Sequence, residues 1–388
     1  MLDAISILQI LSRPGAIAQD LDGSFFVFSH GESENSPSAA QTTSEAVSPS
    51  EGVFTPLFFD LSLQHRQSFS ECHKFGREEL LAALNLKRKL NDFRFLPKWK
   101  TADRASFDSD FFVIKSAINE GLLDKAVVMT EEQGERAPSP DERLYLLWQL
   151  LQNCSGNLFV YGHWNDNSGV LGATPELLFA RKGQQIQTMA LAGTLPKNKE
   201  RSSELQAEQL LGDAKERLEH QFVIDDLTEK LQTFFKSSVP NRSVPNVSKA
   251  VVLVDGPKVI ELPHLFHLFT AIEGTLDSGS VPTDSTDYEL IRILHPSSAL
   301  GLRSKNTPWG WLKNLRGHQN LGHFGAPFGL QTPDGFLCLV GIRNIEWGNG
   351  VAKIRAGCGI VALSEADREW QELRAKRESV KALLGISS

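Results

Sequence analysis

The stretch 351–361, Val351-Ala352-Lys353-Ile354-Arg355-Ala356-Gly357-Cys358-Gly359-Ile360-Val361, opens as a β-prone segment and runs directly into two closely spaced glycines. A helix is expected to follow, from about 366 to 384. In that helix Glu369, Glu372 and Lys376 are spaced i, i+3 and i+7, which puts them on one face. Val380 and Leu383 continue the stripe, so the charged face points at least partly inward. Two carboxylates and a lysine beside a buried stripe suit a hard divalent cation and an anionic ligand. A solvated salt-bridge face fits the same spacing. Gly357 and Gly359 would let backbone N–H groups approach an anion, or would simply make a tight turn.

Upstream, 199–235 carries the longest helical pattern. Leu211, Leu218 and Phe222 recur at helical spacing, as do Val223, Leu227, Leu231 and Phe234. Glu219-His220 sits in its middle and borders the apolar stripe, where a carboxylate is more often a surface residue than a ligand. Helices are also expected at 77–90, where Leu80, Leu81, Leu84 and Leu86 form an apolar face, and at 110–120, stopped by Gly121. Strand-like runs fall at 25–29, 53–61, 125–129, 158–164, 177–181, 185–192, 250–254 and 336–344. Many strands with interspersed helices predict an α+β, or complex α/β, fold rather than a regular doubly wound sheet. The Ser-, Ala-, Thr- and Glu-rich stretch 32–52 reads as a flexible insert. The irregular stretch 96–105 divides an N-terminal part, 1–105, from a catalytic core, 106–388.

With 41% hydrophobic and 22% charged residues, the chain can bury a core. A net charge of −7 with no basic face argues against a nucleic-acid partner. Cys72, Cys154, Cys338 and Cys358 form no CxxC pair, so neither a zinc ribbon nor a disulfide framework is expected. His264 and His267 lack a third ligand nearby, and no P-loop or GxSxG elbow occurs. No basic leader and no long apolar run is seen, so no membrane partner is expected and a cytoplasmic location follows by default.

Seven segments, in order from about 107 to 384, together resemble the chorismate-utilising enzymes: isochorismate, salicylate, anthranilate and aminodeoxychorismate synthases. GATPELL at 172–178 is similar to the family's GASPELL, and TMALAGT at 188–194 to its TxPLAGT. Glu219-His220 with Val223 resembles EHxxxV, and His267-Leu268-Phe269-Thr270 with Gly274 resembles HLxT…G. Leu294-His295-Pro296 is similar to the start of LHPTPA, and Gly341-Ile342-Arg343 to a strand carrying a substrate-binding arginine. The quoted stretch with Glu369-Trp370-Gln371-Glu372 and Lys376 resembles AGAGIV…EWxExxxK. The resemblance implies large antiparallel sheets packed together with flanking helices. It implies Mg²⁺ held by Glu219 and Glu372 with Glu369 nearby, and Arg343 gripping the pyruvyl carboxylate of chorismate. Lys376 and the backbone at Gly193, Thr194, Gly357 and Gly359 would complete the anion pocket, with His267 near the ring.

Lys125, in DKAVVM, resembles the lysine of the isochorismate and salicylate synthases, where ammonia-using relatives generally have glutamine. Water needs a base to take its proton, and ammonia does not. The resemblance therefore implies an isochorismate synthase with Lys125 as base and Glu176 as the acid for the leaving hydroxyl. Such an enzyme would serve menaquinone or siderophore synthesis and would need no obligatory glutaminase subunit. Ala299 also matches the isochorismate type. Salicylate synthase, an anthranilate-type enzyme and a non-catalytic chorismate-binding relative are the alternatives. Thr130, Ala190, Ser298 and Leu302 depart from the family pattern, and Phe324 stands where many relatives have tyrosine.

Overall fold

Alternation along the N-terminal strands sets the layering. Ile17, Phe25 and Val27 pack against helices on one side, while Ala16, Ala18, Phe26 and Phe28 face a second sheet on the other. The computed structural model describes residues 2–30, 52–90, 93–154, 156–237, 253–276, 284–332 and 334–386. Among the described residues, two antiparallel sheets of ten and eight strands form the frame of an α+β fold.

The larger sheet runs Leu302–Arg303, Lys125–Gly134, Val351–Ile360, Asn344–Gly348, Gly169–Thr174, Phe159–Trp164, Gly15–Gln19, Phe25–Ser29 and Glu71–Phe75, with Trp99–Lys100 beside Lys125–Gly134. The smaller runs Leu253–Glu261, Leu265–Thr275, Gln185–Pro196, Leu177–Lys182, Gly335–Val340, Pro327–Thr332, Gly52–Phe54 and Arg66–Gln67. Tyr161, Val170, Leu177, Phe328 and Leu339 fill the space between the sheets. Helices Ala4–Ser12, Arg77–Leu90, Pro140–Asn153 and Ala366–Leu383 bury apolar residues against the outer face of the larger sheet. Helices Ala214–Ser237 and Asp284–Leu294 do so for the smaller. No helix among the described residues is long and apolar enough to cross a membrane.

Several expected elements have different bounds, each for a local reason. The helix expected over 199–235 is two, Ser203–Gly212 and Ala214–Ser237. Asp213 between them is extended, and its carboxylate accepts the N–H groups of Lys215 and Glu216, capping the second helix. The helix expected from 110 begins at Arg104, because Asp103 caps it through Ala105 N–H. Leu86 is exposed rather than part of the apolar face of its helix. The strand expected over 336–344 ends at Val340, and the chain then changes sheets. The 96–105 stretch holds a short strand paired to Lys125–Gly134. The insert 32–52 lies outside the described residues except Gly52, which opens a strand; 250–252 lie outside them too.

One buried ion pair ties a helix to the smaller sheet. Arg181 grips Asp287 with both arms of its fork, Nε to Oδ1 at 2.5 Å and NH2 to Oδ2 at 2.7 Å. Asp287 is fully buried, so removing it strands a guanidinium in the interior. Asp287→Ala is expected to cost about 3–5 kcal/mol of stability, read by chemical denaturation.

Candidate active site

Two of the chain's passages between the sheets lie side by side. Pro175-Glu176 connects Gly169–Thr174 of the larger sheet to Leu177–Lys182 of the smaller. Gly341-Ile342-Arg343 makes the reverse passage, from Gly335–Val340 to Asn344–Gly348. Val340 N–H donates to Glu176 O at 3.0 Å, and Ala173 N–H to Arg343 O at 3.2 Å. Residues at such passages are free of strand alternation, and Glu176 and Arg343 both line a cavity with about 600 Å³ of open space. Gly193, Thr194 and His267 line it from the smaller sheet, Gly357 and Gly359 from the larger, and Glu219 and Lys376 from the two long helices.

Arg343 holds a left-handed backbone, φ 56°, which costs a non-glycine residue about 1–2 kcal/mol. Its guanidinium is fixed from two sides: NH1 donates to Ser379 Oγ at 2.6 Å and NH2 to His267 Nε2 at 3.0 Å. Accepting on Nε2 requires His267 to be neutral with its proton on Nδ1, which faces Thr194 Oγ1 at 3.2 Å and Gly193 O at 3.3 Å. Burial, with Arg343 adjacent, pushes the His267 pKa well below the usual value, consistent with that tautomer.

Glu176 is buried, and burial pushes its pKa up to about 7 against the pull of Lys125, Lys376 and Arg343. It can therefore carry a proton near neutrality. Lys125 is 0% exposed, and burial lowers its pKa although Glu219 works the other way. Its amine donates to the Ser298 carbonyl and lies 3.5 Å from Glu219 Oε1, one layer behind the cavity wall.

Behind that wall stands an acidic cluster built by the two long helices. Lys215 Nζ lies 3.1 Å from Glu219 Oε2, 3.1 Å from Glu369 Oε1, 3.3 Å from Glu216 Oε1 and 3.7 Å from Glu372 Oε2. Lys376 Nζ is 2.7 Å from Glu372 Oε1 and donates to Gly357 O at 2.8 Å. Burial raises the pKa of every carboxylate here. The lysines outweigh it at Glu219 and Glu372, whose pKa values fall below the usual range, but not at Glu216 and Glu369. Hard carboxylate oxygens are what Mg²⁺ takes, and Glu369 Oε1 is buried at ion-pair distance from Lys215 without a well-aligned hydrogen bond. The donor set thus fits a divalent ion. As they stand, no three His, Cys, Asp or Glu among the described residues are gathered for one, and the Lys215 ammonium fills the space they share.

Of the residues singled out from sequence, Glu176, Gly193, Thr194, Glu219, His267, Arg343, Gly357, Gly359 and Lys376 line the cavity, while Lys125, Glu369 and Glu372 stand directly behind it. Two expectations need correction. Thr194 N–H does not serve an anion; it donates to Glu216 Oε2 at 2.8 Å. Gly357 and Gly359 form no turn, because Val351–Ile360 runs through them in register with Met129 and Val127. Their smallness is what matters: a Cβ on Gly359 would overlap Glu219 Oε1 and Lys125 Cε. Lys215 and Glu216 escaped the sequence reading, although Lys215, Glu216 and Glu219 fall at i, i+1 and i+4 beside a capping aspartate. Thr130, one of the departures from the family pattern, is met by a guanidinium: buried Arg377 reaches Thr130 Oγ1 and Glu132.

A buried acid, a buried amine and a fixed guanidinium around one cavity define an enzyme site for a small anion. The chain belongs to the chorismate-binding enzyme family, whose sequence model matches residues 57–385. It is 29% identical over 251 residues to the salicylate biosynthesis isochorismate synthase of Pseudomonas aeruginosa, covering 62% of this chain and 48% of that protein. It is 27% identical over 213 residues to anthranilate synthase component 1 of Streptomyces coelicolor, covering 54% and 38%. The chain thus spans about half the length of the first of these relatives and less of the second. The solved structure of MenF, the menaquinone-specific isochorismate synthase of Escherichia coli, superposes with a TM-score of 0.70 at 17% identity, over 98% of this chain and 91% of that one.

Because the atoms a Gly359 Cβ would meet are the ends of flexible side chains, Gly359→Ala should fold and shift Lys125 and Glu219 instead. Whatever reaction the site performs is expected to slow roughly a hundredfold, with little change in melting temperature.

Proposed function

We propose that the chain is an isochorismate synthase, adding water at ring carbon 2 of chorismate and expelling the hydroxyl at carbon 4. One observation carries this reading: burial raises the pKa of Glu176, on the cavity wall, to about 7 and lowers that of Lys125, directly behind that wall. An acid that keeps its proton and an amine that can shed its own are the pair this exchange requires. Lys125, released from the Ser298 carbonyl, takes a proton from the incoming water. Glu176 gives a proton to the departing hydroxyl, which leaves as water, so the reaction is an isomerisation with no net proton change. Arg343, aimed by Ser379 and His267, offers a substrate carboxylate a forked donor. Glu219 and Glu372, with Glu369 behind, would hold Mg²⁺, which would supply positive charge for the ring carboxylate. Because water is the nucleophile, no glutaminase subunit is needed.

The test is incubation with chorismate and Mg²⁺, with products separated by chromatography. Isochorismate is the expected product. Salicylate, detected by its fluorescence, would shift the reading to salicylate synthesis, and absence of both would overturn it. Lys125→Gln keeps the volume and a donor to Ser298, and Glu176→Gln keeps the shape of the acid. Each is expected to lower kcat by about 10²–10⁴ while circular dichroism and melting stay close to those of the parent protein. Rates near the parent's would refute the assigned roles.

A further inference from the structure

Lys215 takes no part in the proposed proton transfers, yet its ammonium is the hub of the acidic cluster, and the side chain is 4% exposed. The oxygens that face it are not arbitrary. Glu219 turns Oε1 to Lys125 and Oε2 to Lys215; Glu372 turns Oε1 to Lys376 and Oε2 to Lys215. The two Oε2 atoms on Lys215 are therefore the ones left over when each glutamate has its own lysine, and these are the oxygens Glu219 and Glu372 would have free to hold a metal ion. Glu369 and Glu216 flank the same ammonium, and Glu216 is anchored by Thr194 N–H at 2.8 Å and by Arg368 NH2 at 2.8 Å. An ammonium on a flexible four-carbon stem can give up two of four carboxylates and keep the others. A guanidinium could not withdraw as easily from so closed a space.

We propose that Lys215 is an internal stand-in for the divalent ion. It holds the four carboxylates together until metal enters, then yields Glu219 and Glu372 while retaining Glu216 and Glu369. This rests on the metal role proposed above for Glu219 and Glu372. Buried carboxylates without a counter-ion repel one another and must take up protons or force the helices apart. The metal-free fold therefore depends on Lys215, and the metal must outcompete it. A doubly charged ion can do so where a singly charged one gains nothing.

The experiment compares the full-length parent protein with Lys215→Met, which keeps the stem's bulk and removes the charge. Thermal unfolding is followed in EDTA and in saturating Mg²⁺, and Mg²⁺ affinity is measured by titration calorimetry. The variant is expected to melt below the parent in EDTA, to gain more from Mg²⁺ than the parent does, and to bind Mg²⁺ about tenfold or more tightly. Equal melting in EDTA, or Mg²⁺ affinity no greater than the parent's, would overturn the proposal. If neither protein binds Mg²⁺, the metal role of Glu219 and Glu372 falls, whereas binding by the parent with an unchanged variant removes only the role of Lys215. Recovery of Lys215→Met only when Mg²⁺ is present throughout purification is the expected result in its extreme form. If it cannot be recovered at all, Lys215→Arg decides: parent-like melting in EDTA with weaker Mg²⁺ binding supports the proposal, and unchanged Mg²⁺ binding overturns it.

Discussion

Burial of like charge is the constraint on which the rest depends. Glu216, Glu219, Glu369 and Glu372 are all buried where two helices meet, and an isolated ionised carboxylate in such a place costs several kcal/mol. They stay because Lys215, Lys125 and Lys376 are threaded among them, each within 3.7 Å of at least one carboxylate. Such a cluster is a poor way to gain stability, and it gathers negatively charged oxygens beside a cavity. The long helix shows the division of labour. Its first turns bury Lys215, Glu216, Glu219 and His220, and only further along do Val223, Leu227, Leu231 and Phe234 pack as an ordinary apolar stripe.

The two sheets contribute the other half of the site. Where the chain crosses between them, a side chain escapes the in-and-out alternation that would place it either in the core or on an outer face. Glu176 and Arg343 both sit at such crossings, held in register by hydrogen bonds between the two passages. Glu176 is thus buried without a dedicated cation at ion-pair distance among the described residues, which is why burial dominates its titration. Glu372, with Lys376 at 2.7 Å, is held instead at the low end of the carboxylate range. One glutamate on the cavity wall and one behind it are driven in opposite directions by what stands next to them.

Much of this was legible in the chain. The i, i+3, i+7 spacing of Glu369, Glu372 and Lys376 put them on one face, and burial of that face followed from Val380 and Leu383. The order of short motifs pointed to the right family, and most of the β-prone runs hold strands, although the run at 53–61 is strand only at its start, within Gly52–Phe54. What local patterns could not show was which sheet each strand joins. The β-prone run 336–344 therefore hides the change of sheet at 341–343, and the glycines of 356–361, which fit an anion-binding loop or a turn, include strand positions paired with Met129 and Val127. Lys215 and Glu216 were missed because charged residues are expected outside. Asp213 was passed over because helical periodicity continues through it, although aspartate is a strong capping residue. Ser139 and Glu142 form a capping box at the start of Pro140–Asn153, a local signal present in the sequence but not used.

The central claim is that burial keeps Glu176 protonated so that it can act as an acid. The most direct measurement is the pH dependence of kcat/KM for chorismate, which reports groups on the free enzyme. A group with its pKa raised to about 7 holds its proton below that value and loses it above. Loss of that proton lowers the slope of log kcat/KM against pH by one above about 7, whatever the deprotonation of Lys125 adds, and Glu176→Gln should remove this break. A profile whose slope does not change between about pH 6 and about pH 9, or one whose break persists in Glu176→Gln, would contradict the role given to Glu176.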